Sequence, residues 1–222
     1  MIPEKKMNLY FISGLGADKR IFQKLVLPEV FRVHYINWIP VSEHETLEIY
    51  CRKLSTQIDR EHPFSLIGLS FGGIVAIEMS KFLLPVQTVI ISSFCVQREV
   101  PKFYVFLKQT RLYKLLPLRL LLKPNHFVYR LFGAYKPSMK NLLKSILQDT
   151  DPVFFVWAVG QLFSWNNKWI PPNLVRIHGK ADRILPFKAN MEAIPVEGGE
   201  HLMVYNHSEI VSDILKENLR LS

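Results

Sequence analysis

The segment FSLIGLSFGGIVAIEMS, Phe64 to Ser80, crowds three of the chain's ten glycines into six residues and sets Ser70 among them. It opens as a short apolar run and continues as apolar text of helical length, so the glycines fall on a strand-to-helix turn. Glycine two positions either side of a serine has a steric reason. In a sharp turn the serine takes strained backbone angles, and its flanking residues come too close to the adjacent strand and helix to carry Cβ atoms. That assigns Gly68 and Gly72 to the turn itself, and Gly73 to close packing of the new helix on the sheet. Such a turn projects the serine hydroxyl from the sheet edge and aims a helix N-terminus at any developing anion. The plain alternative is a glycine-rich turn with a capping serine. Gly-x-Ser-x-Gly is expected by chance on the order of 0.03 times in a chain of this composition, which favours chemistry.

The rest of the chain supplies the sheet this turn needs. Apolar runs rich in β-branched and aromatic residues predict strands at Asn8–Ile12, Phe31–Asn37, Phe64–Gly68, Gln87–Ser92, Asn173–Gly179 and Asn190–Gly198. Helical text lies between them. Ser42 with Glu45 reads as a capping box ahead of Leu47, Cys51, Leu54 and Ile58. A last helix opens at Ser208 with Ile210, Ile214 and Leu215 on one face. Strand–helix repetition with nearly continuous apolar strands predicts an α/β fold. Its sheet is mostly parallel, about six-stranded and covered by helices on both faces. From about Gln97 to Pro172 no strand is evident, only basic, aromatic and leucine-rich helical text broken by prolines. That is too long for an ordinary crossover. The expected division is a core of residues 1–96 and 173–222, with a helical insertion, 97–172, over one end of the sheet.

A serine hydroxyl is a weak nucleophile until a base takes its proton, and the base needs a group that fixes its tautomer. In an open parallel sheet, functional groups gather at the carboxyl ends of the strands. VRIHGKADRILP places Asp182 just past one such end, and IPVEGGEHLMV places His201 past another. His34, His44, His62, His126, His178 and His207 fall in strand, helix, insertion or preproline text and are read as structural or surface groups. An acyl-transfer site also needs oxyanion donors. The Phe71 N–H, at the helix start, is the first. The loop FISGLGADKRIF supplies the second, from Leu15 or, as the alternate, Gly16.

Taken together, GLSFGG as a nucleophile elbow, HGKAD..LP as an acid turn and GGEHLMV as a histidine loop, in the order Ser, Asp, His, resemble the α/β-hydrolase family. The resemblance runs from about Met7 to Arg220 apart from the insertion, which falls where that family commonly carries its helical cap. Its first strand resembles the family's third, so the resemblance implies a reduced sheet. Where the family often has His-Gly in the oxyanion loop, this chain has Ser13-Gly14. The resemblance implies attack of Ser70 on a carbonyl, His201 as general base and then acid, and Asp182 as the group that orients the imidazole. Water then resolves an acyl-enzyme.

Ester and thioester hydrolysis lead this reading. A lyase or C–C bond enzyme of the same fold, and a non-catalytic receptor or scaffold, stand as alternatives. Phe103, Phe106, Tyr113, Phe155, Trp157 and Trp165 could line an apolar acyl pocket or form cap core. Neither Cys51 nor Cys95 has metal-ligand or disulfide spacing, so buried reduced thiols, no metal and no cofactor are expected. No N-terminal apolar stretch reads as a secretory signal, and the longest apolar candidate, Phe103–Leu122, carries Lys108, Arg111, Lys114 and Arg119. A cytoplasmic protein is expected. Between Arg98 and Gln148 eleven Lys or Arg face one acid, Glu99, while the rest of the chain is nearly neutral. A solvated face, an anionic substrate or contact with a membrane surface would each account for this. Nucleic acid is not expected.

Overall fold

The structure is a computed structural model that describes residues 6–110 and 121–221. Among these residues the apolar runs form six strands: β1 (Met7–Ile12), β2 (Phe31–Ile36), β3 (Phe64–Leu69), β4 (Gln87–Ile91), β5 (Leu174–Gly179) and β6 (Ile194–Val196). They make one sheet in the order β2-β1-β3-β4-β5-β6, and every pair is parallel. Side chains alternate across it with the period of two that a pleated strand imposes. Leu9, Phe11, Ile67, Leu69, Val89 and Ile91 enter one core, while Tyr10, Ile12, Leu66 and Ile90 enter the other.

Helices cover both faces. Helices α1 (Leu47–Leu54) and α2 (Phe71–Leu83) fill the second core with Tyr50, Leu54, Ile74 and Ile77. The insertion between β4 and β5 contributes α3 (Lys102–Gln109), α4 (His126–Phe132), α5 (Pro137–Asp149) and α6 (Pro152–Ser164). After β6 come α7 (Met203–Asn206) and α8 (Ser208–Asn218). Met139, Leu143 and Leu147 of α5 share the first core with Val211 and Leu215 of α8. Phe154 and Ala158 of α6 reach the second core. The insertion is therefore packed continuously with the sheet.

Three local expectations change. The last strand is three residues long, because Met191 and Ala193 close a tight turn and Pro195, which has no N–H to donate, is tolerated only at this sheet edge. Glu45 does accept from the Ser42 amide at 2.8 Å, but this closes a turn. Helix α1 starts five residues after Ser42, with Thr46 as its N-cap and Ile58 already in extended chain. Helix α8 buries Val211, Ser212 and Leu215, and leaves Ile210 exposed. Tyr113, Arg111, Lys114 and Arg119 lie outside the described residues. No helix among the described residues is long and apolar enough to cross a membrane.

Candidate active site

Ser70 sits between β3 and α2 with φ 53° and ψ −118°, a conformation that L-residues rarely adopt. The surroundings hold it there. Its amide donates to Ile91 O at 2.9 Å, and its carbonyl accepts from Gly73 N at 2.9 Å and from Ser93 Oγ at 2.8 Å. The glycines are needed for contact. A Cβ on Gly68 would lie 2.2 Å from Gly72 O, one on Gly72 2.2 Å from Ile12 O, and one on Gly73 2.6 Å from Ser93 Cβ and Oγ. Gly73 thus makes room for the side chain that braces the Ser70 carbonyl.

The carboxyl ends of β5 and β6 bring two further groups to Ser70. His201 Nε2 is 2.9 Å from Ser70 Oγ, and His201 Nδ1 is 2.8 Å from Asp182 Oδ2. Asp182 and His201 are buried, while Ser70 is partly exposed. Asp182 Oδ1 accepts from the Ile184 and Leu185 amides, each at 2.9 Å. Burial alone would push the Asp182 carboxyl pKa up. The charge and hydrogen bond of His201, with the Leu185 amide and His178, outweigh it and hold the group below its ordinary value. An ionised Asp182 can only accept, so the His201 proton lies on Nδ1. Nε2 then presents its lone pair to the Ser70 hydroxyl.

The acid turn and the histidine loop are fastened to each other by backbone. Ala181 N donates to Gly199 O at 2.9 Å and Lys180 N to Val196 O at 3.0 Å. A Cβ on Gly179 would lie 2.1 Å from Gly199 O, so the two loops touch at a pair of glycines. His178, read from sequence as a strand residue, is in β5 but also supports this turn. Its Nε2 is 2.7 Å from Leu185 O and 3.6 Å from Asp182 Oδ2. Burial lowers its pKa and favours the neutral ring. Tyr104 of α3 donates to Ile184 O at 2.9 Å and ties the insertion to the same turn. Ser93 and Tyr104 carry no local pattern that would have marked them, because each acts through a partner distant in sequence.

The oxyanion candidates lie beside Ser70. Phe71 is the first residue of α2, where amides have no intrahelical acceptor. Gly14 abuts the serine: a Cβ there would be 3.2 Å from Ser70 Cβ, so the loop that carries Leu15 passes beside Ser70. Ser13 Oγ donates to Ala17 O at 2.8 Å and closes this loop, and Trp38 Nε1 reaches the same oxygen at 3.2 Å. Gly16, with φ 66°, turns toward Leu147 and Phe155.

Of the six insertion aromatics, Phe155 and Trp165 are core. Trp157 donates to Glu45 O at 2.7 Å, so it anchors α6. Phe103 and Phe106 face solvent. Phe132 of α4 meets the His201 ring edge-on, with centroids 5.9 Å apart. The remaining histidines are engaged elsewhere or exposed: His34 stacks on Tyr10, His62 pairs with Asp59 and His207 lies by Glu200. Both cysteines are free and buried, and burial raises both thiols, Cys95 to about 11.

A doubly wound parallel sheet with a strained serine turn after its third strand, and with acid and histidine after its last two, is an α/β-hydrolase fold. Solved structures agree. A lipase-esterase related protein from Clostridium acetobutylicum superposes with a TM-score of 0.69 at 16% identity, covering 97% of this chain and 96% of that one. A thermophilic esterase from Thermogutta terrifontis gives 0.68 at 13% identity, covering 96% and 89%. The RedJ thioesterase from the prodiginine biosynthetic pathway in Streptomyces coelicolor gives 0.64 at 13% identity, covering 96% and 86%. No protein-family model and no curated protein matches the sequence.

Proposed function

We propose that this chain is a serine hydrolase of a small carboxylic ester or thioester, working through an acyl-enzyme on Ser70. The observation that carries this reading is the unbroken chain from Ser70 Oγ through His201 to buried Asp182, at 2.9 and 2.8 Å. Those are the distances a nucleophile, base and orienting acid require.

In this reading Ser70 Oγ attacks the acyl carbon while its proton passes to His201 Nε2. Asp182 stabilises the imidazolium and stays ionised. The tetrahedral oxyanion accepts from the Phe71 and Leu15 amides. Collapse expels the alcohol or thiol with the proton from His201, leaving the acyl ester of Ser70. A water, deprotonated by the same nitrogen, attacks that ester, and His201 returns the proton to Ser70 Oγ as the acid leaves. Residues 97–172 act as the cap. A cleft of about 330 Å³ adjoins the oxyanion loop, with Gly16, Trp38, Ile146 and Phe154 on its walls together with Asp18, Asp149 and Asp151.

A fluorophosphonate probe tests the reading. Labelling is expected in the native protein and lost in Ser70→Ala. Ester turnover across an acyl-length panel is expected to fall about 10⁴-fold in Asp182→Asn. Labelling that persists in Ser70→Ala would remove Ser70 as the activated nucleophile, and a mild loss in Asp182→Asn would assign the orienting role to another group.

A further inference from the structure

The basic excess of the insertion has a focus. A cleft of about 340 Å³ is bounded by His126, Tyr129, Arg130, Tyr135, Lys140 and Arg183. These residues come from α4, the loop after it, α5 and the acid turn, so they are far apart in sequence and converge only on folding. Among the described residues no carboxylate lines the cleft.

Several cations elsewhere are matched by acids, whereas half-buried Lys140 and exposed Arg130 and Arg183 are not. Arg20 bonds Asp18 and Asp149, Lys53 bonds Glu45, and Arg176 forks Glu99. Among the described residues Arg130, Lys140 and Arg183 enter no ion pair. Residues 111–120 contain no Asp or Glu, and Glu4 is the one acidic side chain outside the described residues. Arg183 Nη1 is held by Tyr135 Oη at 2.5 Å and by Arg130 O at 3.3 Å. Lys140 Nζ lies 5.9 Å from the Tyr129 ring centre. Like charges gathered in a recess repel one another and concentrate a positive field, which is the arrangement that captures an anion. A guanidinium fork beside phenol hydroxyls matches the oxygens of a phosphoryl group. The volume lies at the lower end of small-molecule pockets, enough for a phosphorylated head but not a large ligand.

The residues that wall the cleft are tied to segments of the candidate active site. Arg183 directly follows Asp182. Tyr129 lies three residues before Phe132, the residue against the His201 ring, so roughly one helical turn separates them. Asn206 Nδ2 donates to Gly133 O at 2.9 Å and fastens the end of α4 to the histidine side.

We propose that this cleft receives the phosphoryl group of a small phosphorylated substrate whose ester or thioester is cleaved at Ser70. The proposal rests on the hydrolase reading for the second half of that statement only. Binding is therefore measured without catalysis, by calorimetric titration of pyrophosphate into Ser70→Ala at low salt. Saturable one-to-one binding is expected. Arg130→Gln or Arg183→Gln, added to Ser70→Ala, weakens it about tenfold or more, as loss of a charged hydrogen bond does. Arg52→Gln, which removes an exposed cation of α1 paired with Glu48, leaves it unchanged.

With Ser70 intact, an ester carrying a phosphate in its leaving group is expected to show a lower KM than its uncharged isostere. Arg183→Gln then raises that KM at constant kcat and spares the uncharged ester, the pattern of lost ground-state binding. No pyrophosphate binding alongside normal ester turnover overturns the cleft. Equal loss in Arg52→Gln, or binding to anionic phosphatidylserine vesicles without binding pyrophosphate, overturns it as well. Pyrophosphate binding without turnover of any ester leaves the cleft standing and overturns the hydrolase reading.

Discussion

Helix α2 begins and ends on residues that are not glycine and yet have positive φ: Ser70 at 53° and Leu84 at 52°. The two ends differ in everything else. Leu84 has ψ 56°, the left-handed basin in which helices often terminate, and its side chain is 86% exposed. Ser70 has ψ −118°, outside that basin, with backbone bonds to β4, its own helix and Ser93, and its hydroxyl on His201. Strain at the C-terminus is a local cost with little fastened to it. Strain at the N-terminus is held by contacts from β4, Ser93 and His201 as well as from its own helix, and it aims one oxygen at one nitrogen. Over-determination by the surroundings marks the end that carries the candidate site.

Four experiments would break or sharpen this contrast. The largest effect is expected for Ser70→Gly. Turnover of any ester substrate should drop about 10⁴-fold or more. Stability by urea denaturation should hold or rise by about 1 kcal/mol, since relieved strain exceeds one lost hydrogen bond. A clear fall in stability would show that the serine conformation is not strained.

Next is Gly72→Ala, whose Cβ would meet the backbone oxygens of Ile12 and Ser13 at 2.2 and 2.3 Å. Because β1 is an inner strand and cannot yield, the cost should reach or exceed the ~3 kcal/mol upper end of ordinary overpacking. The melting temperature then falls by roughly 6–12 °C for a chain of this size. An unchanged melting temperature would mean that the elbow is looser than its contacts imply.

A smaller effect separates brace from filler. Gly73→Ala collides only with Ser93 Cβ and Oγ at under 3 Å, so Ser93→Gly should relieve that collision. Measured as a double-mutant cycle, the pair should couple by at least about 1 kcal/mol. Additive losses would separate Gly73 from Ser93. The smallest effect belongs to the other end of the helix. Leu84→Gly removes a left-handed L-residue whose side chain is mostly in water, and should stabilise by about 0.5–1 kcal/mol without touching turnover. Destabilisation there would mean that Leu84 packs on something in solution.

The contrast also explains what could be read in advance. Inner strands β1, β3 and β4 were legible because a parallel strand covered on both faces must be apolar along its length. The edge strand β6 was overestimated, since apolar text around Pro195 could not reveal that only three residues find a partner. The positions of Ser70, Asp182 and His201 at loop starts were legible because a parallel sheet sends every strand's carboxyl end to one edge. The Ser42–Glu45 pair misled because the same side-chain-to-amide bond that caps a helix also closes a turn.

By itself the sequence determined the local demands: where the chain must be extended, where it must turn without a Cβ, and which residue types follow each strand. Those are backbone constraints, satisfied or violated within a few residues. The tertiary structure decided the partners. Ser93 braces Ser70 across 23 positions, Tyr104 clasps the acid turn across 80, and Gly179 meets Gly199. Arg130, Lys140 and Arg183 become one charged recess only when α4, α5 and the acid turn come together. A contact between distant segments depends on how the elements pack, and that packing is shared by the whole chain, so no short stretch of sequence records it.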